Sequence, residues 1–287
     1  RRLQGTALGL QAGIGNFGVS LVQFVTPWII GFGLIGGAQA FSNPDKGIEK
    51  QVWYQNAGYI WVPFVILGVI LAYTMLKSVP VQARGVKDQL DIFSNKHTWL
   101  MTLLYIITFG TFSGLAAQFA LLIKNLYGTP FGTQGIVAVS YAFLGALIGS
   151  AARVLAGPIA DRLGGAKVTL VAVIGIGLSA LYTSFQLSPT SVDQFPKFLW
   201  GMLAIFFFTG VGNASTFKQM PMIFEPRQAG GVIGWTAAIA AFGPFVFGVM
   251  FATGNTQLLY WLGTFTCVIG AGITWWFYAR PGAEKPS

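Results

Sequence analysis

The sequence predicts an all-α polytopic membrane protein, and three observations support this class. First, 54% of the 287 residues are hydrophobic and only 9% are charged, whereas a soluble domain carries about 25% charged residues. Second, the chain contains eight apolar stretches, each of about the 20 residues that a helix needs to cross a bilayer. Third, lysines and arginines concentrate in alternate connections between these stretches. A soluble globular domain is therefore excluded.

Polar or Pro/Gly-rich connections separate the eight apolar stretches. The stretches run approximately over residues 7–37, 57–76, 98–123, 133–160, 168–187, 197–224, 231–252 and 256–279. An even number of spans places both termini on one side of the membrane. That side collects 12 of the 17 lysines and arginines and the other side collects 4. The positive-inside rule therefore predicts cytoplasmic termini in an inner (plasma) membrane.

The composition argues against several other classes of function. The formal net charge is +9, but the basic residues are spread between the spans and form no surface for nucleic acid. The single histidine, His97, is expected to lie in solvent near the start of the third span. Because the spans hold no cluster of metal-ligating residues and no nucleophile–base arrangement, we expect no enzyme activity, no cofactor and no metal.

Arg153 is the residue around which a site is predicted. It lies inside the fourth stretch, eight residues before Asp161 marks its polar end, so its backbone is buried roughly 12 Å from the interface. A cation at this depth costs about 2.5–3.5 kcal/mol and requires a partner or a water-filled cavity. No acidic residue lies in the interior of an apolar stretch. We therefore predict that the partner of Arg153 is a mobile anion.

Aromatic residues on one face of the third stretch are candidates to complete this site. Tyr105, Thr108, Phe109 and Phe112 follow the i, i+3, i+4, i+7 pattern of a single helix face. Ordinary core packing is one interpretation of this pattern. The other follows from depth, since Tyr105 also lies roughly 12 Å from the cytoplasmic interface. A hydroxyl donor and an aromatic face beside Arg153 would suit a small planar oxyanion.

Small residues mark two spans as closely packed, because they let helix backbones approach in a membrane. The first stretch carries glycines at intervals of four on one face and others beside them, namely Gly5, Gly9, Gly13, Gly15 and Gly18. The seventh stretch has the same character, and Pro244 is expected to kink it.

Two polar residues within the spans each have two interpretations. Asn16, in the first span, either hydrogen-bonds a neighbouring helix or faces a pore. Lys218, in the sixth, lies seven residues before Glu225. It either snorkels towards the cytoplasm or supplies a second cation near the inner mouth.

Several motifs resemble the nitrate/nitrite porters of the major facilitator superfamily. GPIADRLGGAK is similar to the superfamily's loop after the second or eighth helix, and its motif positions here are Gly157, Asp161, Arg162, Gly164, Gly165 and Lys167. AGIGNFGVSLVQ (12–23) and GWTAAIAAFGPF (234–245) resemble the two nitrate signatures, on the fifth and eleventh helices, and contain the signature glycines Gly13, Gly15, Gly18, Gly234 and Gly243. ARVLAGPIADRLGG resembles the eighth helix and YIITFGTFSGLAAQFAL the seventh.

The resemblance implies that the eight spans are helices five to twelve of a twelve-helix transporter. The implied domains are 1–76, the last two helices of the N-terminal bundle; 77–97, the cytoplasmic loop between bundles; 98–279, the C-terminal six-helix bundle; and 280–287, a disordered cytoplasmic tail. Helices one to four, which in the family carry a second substrate arginine, are not expected in this chain.

The resemblance also implies that Arg153 binds nitrate and that Tyr105 and Phe109 contact the substrate. The second signature departs from the family pattern at Ala237, Ala240 and Pro244, which leaves the substrate preference open. We expect nitrate/nitrite exchange by alternating access in a monomer embedded in lipid, because the spans show no carboxylate or histidine for proton coupling. The alternatives are a proton-coupled nitrate symporter, a porter of another small anion, and a non-transporting membrane sensor or scaffold.

Overall fold

The computed structural model describes residues 3–43, 47–77 and 90–287. Within them, eight helices are long and apolar enough to cross a membrane: α1 (Gln4–Ile29), α2 (Asn56–Met75), α3 (Lys96–Gln134), α4 (Ala138–Leu163), α5 (Gly165–Ser184), α6 (Val192–Ile223), α7 (Pro226–Ala252) and α8 (Thr256–Ala279). Their number and order match the spans predicted from the sequence, so the all-α polytopic class is confirmed. The predicted connection 77–97 falls largely outside the described residues.

The two largest differences from the predicted span boundaries are at the ends of α1 and α3. α1 ends at Ile29 rather than near residue 37, because four of residues 30–37 are glycines, each of which disfavours a helix by about 1 kcal/mol. α3 continues past Ile123 through a π turn and a 3-10 turn to Gln134.

Two membrane helices change geometry inside the bundle. A π turn over Ile106–Gly110 interrupts α3. α7 consists of Pro226–Ala240 and Gly243–Ala252, so it breaks immediately before Pro244, which lacks the N–H that would continue the helix. The remaining helical segments are Asn56–Tyr59 and Val62–Met75 in α2, Leu90–Ser94 before α3, Lys96–Tyr105 and Thr111–Ile123 in α3, Ala142–Leu163 in α4, Phe195–Ile223 in α6, and Thr256–Thr274 in α8.

A short β-hairpin connects α1 to α2. Strands β1 (Gln39–Asn43) and β2 (Ile48–Val52) pair antiparallel, with Phe41 opposite Lys50. The sequence predicted only that this connection is too polar to enter the membrane. The cross-strand pairing satisfies backbone groups in a segment with little buried surface.

α6 is the central helix of the described bundle, since it packs against both α4 and α5. α4 also packs against α1, α5 against α8, and α3 against the second segment of α7. By contrast, Val62–Met75 of α2 has no buried residue. This helix is apolar all round, as expected of a surface that faces lipid or further helices.

α1 and α4 cross closely through glycines. A Cβ atom added to Gly157 would lie only 2.7 Å from the carbonyl oxygen of Gly5, and one added to Gly9 would lie 3.0 Å from the carbonyl oxygen of Arg153. Gly9 therefore lies on the face of α1 that packs against α4, and so does Gly13, whose added Cβ would lie 3.2 Å from the backbone carbonyl oxygen of Ser150.

Three of the predicted packing glycines do not pack against described residues. Cβ atoms added to Gly15, Gly18 and Gly234 would meet nothing within 4 Å. For the first two the reason is helix geometry, because at 3.6 residues per turn they point away from the face that carries Gly9. Gly243 does pack, and its Cβ would lie 2.8 Å from the Ser113 hydroxyl.

The C-terminal tail folds back onto the start of α3, whereas the sequence predicted that it is disordered. Glu284 accepts a hydrogen bond from Lys96 at 2.7 Å and lies 3.2 Å from Nε2 of His97. His97 is buried, and its Nδ1 lies 3.0 Å from the Tyr278 hydroxyl, so the prediction of a solvated histidine is wrong. Hydrogen bonds from Lys96 and His97 lower the pKa of Glu284. Its stabilising contribution is therefore lost as the pH falls through that lowered pKa.

The glycine crossing gives a first prediction. Gly157→Ala should lower the free energy of unfolding by about 1–3 kcal/mol, because the new methyl group forces two helix backbones apart. Gly15→Ala is the matched control, since its methyl group enters open space and alanine favours helix over glycine by about 1 kcal/mol. Thermal unfolding of the purified variants in detergent measures both. Equal stability of the two variants would contradict the close approach of the α1 and α4 backbones at Gly157.

Candidate functional site

Arg153 is buried in the middle of α4 with only 2% of its surface exposed. Its guanidinium carbon lies 5.1 Å from the centre of the Phe217 ring on α6. Among the described residues, no carboxylate lies within ion-pairing distance of this guanidinium, and its Nε has no hydrogen-bond partner. A buried cation in this state remains costly until a counter-charge reaches it.

Tyr105 and Phe109 of α3 form an aromatic wall beside this guanidinium. Their rings stack with centroids 5.2 Å apart and planes 7° from parallel. The Tyr105 ring also lies 4.9 Å from that of Phe217, and the Tyr105 hydroxyl is within reach of the Arg153 charge and its N–H donors. Phe109 lies in the π turn Ile106–Gly110, a geometry that is frequent at functional sites. The structure thus brings these three predicted residues together.

Two further polar side chains are buried close by without partners. Ser150 lies one turn before Arg153 on α4, and Asn213 lies one turn before Phe217 on α6. The Ser150 hydroxyl and both polar atoms of the Asn213 amide have no hydrogen-bond partner within the described chain. Such groups are costly in a native structure unless water or a ligand satisfies them.

Asn16 occupies the adjacent part of α1. It follows Gly13 by one turn, and Gly13 approaches the backbone of Ser150 on α4. Its Nδ2 is buried and has no partner among the described residues. The hydrogen bonds of the described residues do not join Asn16 to the guanidinium, so its contact with the anion stays a prediction.

This arrangement can bind a small anion. The guanidinium presents a planar fork of N–H donors that matches an oxyanion bidentately. The unpartnered Ser150 hydroxyl lies within one helical turn of Arg153, and the unpartnered Asn213 amide lies within one turn of Phe217. Aromatic rings shield the guanidinium from water on two sides. Binding rather than covalent conversion is what these groups can perform.

Phe217, Ser150 and Asn213 are the site residues that sequence reasoning missed. Ser150 was detectable in principle, because it precedes Arg153 by three residues and so shares its helix face. Phe217 and Asn213 share a face of α6 because they are four residues apart. What the sequence does not reveal is which side of α6 turns towards α4.

The chain was compared with known proteins, and no family model matches it. It is 60% identical to a Thermus thermophilus protein named probable nitrate/nitrite antiporter NarK2, over 100% of this chain and 66% of that protein. It is 31% identical to the nitrate/nitrite transporter NarU of Salmonella typhimurium, over 96% of this chain and 64% of NarU. The chain belongs to the nitrate/nitrite porter family.

A more distant relative shows the same relationship. The nitrite extrusion protein of Bacillus subtilis is 28% identical over 81% of this chain and 52% of its own length. The chain therefore spans about two thirds or less of the length of these porters. The resemblance of its motifs to the nitrate/nitrite porters of the major facilitator superfamily is confirmed at the level of the family.

The porter's loop motif contains a buried ion pair between α4 and α6. The Lys218 ammonium lies 3.2 Å from Oδ1 of Asp161, with side chains only 10% and 7% exposed. Lys218 also donates a hydrogen bond of 2.5 Å to the carbonyl oxygen of Ala160. This pairing differs from both sequence-based alternatives for Lys218: the ammonium neither snorkels to solvent nor remains a free second cation, because the Asp161 carboxylate turns inward and compensates it.

Asp161 also caps the start of α1. Its carboxylate accepts hydrogen bonds from the backbone N–H of Gly5 at 2.9 Å and of Thr6 at 2.7 Å, and from the Thr6 hydroxyl at 2.7 Å. A carboxylate at a helix N-terminus is stabilised by unpaired N–H groups and the helix dipole. One side chain thus ties α1, α4 and α6 together.

The other loop-motif residues shape the turn between α4 and α5. Gly164 adopts a φ of +92°, which favours glycine. A Cβ atom added to Gly165 would lie 2.7 Å from Cγ of Gln219 on α6, so this glycine allows a close approach. Arg162 and Lys167 are exposed on either side of the turn.

The ion pair gives a second prediction, tested by a double-mutant cycle. Lys218→Met or Asp161→Asn alone should cost about 3–5 kcal/mol of unfolding free energy, because each breaks a buried pair. The double variant should cost less than the sum, with a coupling of about 0.5–3 kcal/mol. The control cycle is Lys96→Met with Glu284→Gln, whose side chains are 59% and 44% exposed and whose coupling should stay below about 1 kcal/mol. Additive losses at Lys218 and Asp161 would refute the pairing.

Proposed function

We propose that this chain is part of a membrane carrier that exchanges nitrate for nitrite, and that Arg153 holds the anion. The observation that carries the proposal is a buried guanidinium, 2% exposed, with no carboxylate partner among the described residues. The names of its relatives, which include a probable nitrate/nitrite antiporter and nitrate/nitrite transporters, support the choice of anion.

In the proposed complex, the bound anion replaces the missing counter-charge. Arg153 donates to two oxygens of a planar oxyanion, and the Tyr105 hydroxyl donates to a third position. Phe109 and Phe217 cover the faces of the site. Ser150 and Asn213 offer the unpartnered polar groups that would distinguish a small oxyanion from a spherical halide.

The domain organisation is proposed on the same basis. Residues 1–76 would end the N-terminal bundle and 98–279 would form the C-terminal six-helix bundle, joined by 77–97. Both termini would be cytoplasmic and the working unit a monomer. The tight α1–α4 crossing and the Asp161 cap on α1 would then be contacts between bundles, which alternating access must form and break.

Exchange is favoured over proton symport by the state of the ionisable groups. In the described spans, Asp161 is committed to Lys218 and to α1, Asp193 is exposed at the start of α6, and His97 is held by Tyr278 and Glu284. None adjoins Arg153. An empty carrier would have to reorient with an uncompensated buried cation, so anion-loaded states should cross faster.

Substitution of the arginine tests the site directly. Arg153→Lys in the complete carrier should lower nitrate or nitrite uptake at low substrate about 100-fold or more, because each lost hydrogen bond to a charged group is worth about 1.5–3 kcal/mol. Arg280→Lys is the matched control and should transport normally, since this half-buried arginine lies at the end of α8 and stacks on Trp276. Near-normal uptake by the Arg153 variant, at equal membrane expression, would refute the assignment.

Proteoliposomes test the mode of transport. Vesicles are loaded with nitrite or left empty, and uptake of external nitrate is followed with and without a pH gradient. We expect fast uptake only into nitrite-loaded vesicles, with no response to pH, because return of the empty carrier is slow. Equal uptake into empty vesicles under an inward proton gradient would point to symport instead. Anion binding without any flux would point to a sensor.

A further inference from the structure

A cavity of about 490 Å³ lies inside the bundle, apart from the Arg153 cluster. Residues of α3, α5, α6, α7 and α8 line it. They belong to the half of the bundle that contains the α7–α8 turn, as shown by Met250 and Leu259 on either side of that turn. Its size is in the range of sites that hold a small organic ligand.

The lining of this cavity is apolar. None of its lining residues is charged, and most are Ile, Leu, Val, Ala, Met or Phe. Two of the few polar groups are already satisfied: the Tyr260 hydroxyl contacts the Met202 sulfur at 2.9 Å, and the Thr266 hydroxyl donates to the Leu262 carbonyl at 2.7 Å. Water is disfavoured in a cavity of this kind, since it needs two to four polar partners.

The cavity opens sideways between α7 and α8. The second segment of α7, Gly243–Ala252, has no buried residue. Residues at the opening are exposed on the outside of the bundle, with Phe242 at 62%, Val246 at 47% and Leu262 at 49% exposure. In a chain with spans of this length, that surface lies at the depth of the bilayer hydrocarbon. At this depth the opening faces lipid hydrocarbon wherever no further protein segment covers it.

The back wall of the cavity is the π turn of α3. Ile106, Ile107 and Gly110 line the cavity, while Phe109 of the same turn stacks on Tyr105 beside Arg153. A ligand in the cavity would therefore press against the turn that carries the aromatic wall of the anion site.

We infer that this cleft binds one acyl chain of a membrane phospholipid, which enters between α7 and α8 and packs against the π turn. The apolar lining excludes ions and water, and the sideways opening admits a hydrocarbon chain from the leaflet on the side of the α7–α8 turn. The bound acyl chain packs against the cavity side of the π turn and stabilises it. This assignment does not depend on the identity of the anion at Arg153.

A cavity-filling variant on α8 tests the inference. Gly263 lines the cavity, and a Cβ atom added to it would meet nothing within 4 Å. Gly272 on the same helix is equally unobstructed but does not line the cavity. After delipidation and re-addition of dioleoyl phosphatidylglycerol, native mass spectrometry should show a retained lipid on the parent and on Gly272→Phe. For Gly263→Phe, the fraction of protein that retains the lipid should fall about tenfold or more. Equal retention by all three proteins would overturn the inference.

A second measurement needs no substitution. Cys267, the only cysteine, lines the cavity and is 3% exposed, so N-ethylmaleimide must enter the cleft to reach it. Added phospholipid should slow alkylation about tenfold in detergent micelles, as expected for a ligand well above its dissociation constant. A rate insensitive to phospholipid would overturn the inference. The same insensitivity in a longer protein that contains this chain would mean that a protein segment, not lipid, fills the cleft.

Discussion

The burial of Arg153 without a carboxylate partner is the constraint on which the rest of the structure depends. A guanidinium at this depth is tolerated only where its surroundings can accommodate a counter-anion that binds and dissociates. The Phe217 ring lies against it and offers the partial compensation of a cation–π contact, and the Tyr105 ring packs on Phe217. The unpartnered Ser150 and Asn213 groups supply polarity without a fixed counter-charge. A carboxylate in their place would neutralise the cation permanently and remove the affinity for an anion.

One continuous helix, α4, carries both the buried guanidinium and the contacts with the start of α1 and with Lys218. Arg153 lies mid-helix, Gly157 follows at the crossing with α1, and Asp161 follows at the ion pair with Lys218. These residues recur every four positions and so fall on nearly the same side of the helix. α6 contacts this side of α4 at two adjacent residues, because Phe217 lies against Arg153 and its neighbour Lys218 pairs with Asp161. A rotation of α4 would therefore disturb the anion site and the ion pair together.

Depth along each helix was predictable from the sequence, whereas orientation around each helix was not. Arg153, Tyr105 and Phe109 were brought together by counting residues from the span ends, since 1.5 Å per residue fixes depth. The rotation of each helix about its own axis cannot be read from the sequence, because lipid-facing and core-facing residues are equally apolar. For this reason Phe217 was missed, Lys218 was given the wrong alternatives, and Gly15 and Gly18 were assigned to a packed face. The buried His97 and the ordered tail were missed because they depend on Glu284, which lies 188 residues after Lys96 in the sequence.

The cap that Asp161 places on α1 has a consequence for how this protein changes over evolution. Two of its three hydrogen bonds reach backbone N–H groups, of Gly5 and Thr6, and every non-proline residue offers such a donor. The contact therefore depends little on the polarity of side chains at the start of α1, but it limits their size, because a Cβ atom added to Gly5 would lie 2.7 Å from Oδ1 of Asp161. Selection at this junction should act on side-chain volume rather than on charge. A glycine at position 5 and an aspartate at position 161 should therefore be inherited together, whereas the chemistry of the neighbouring residues can drift.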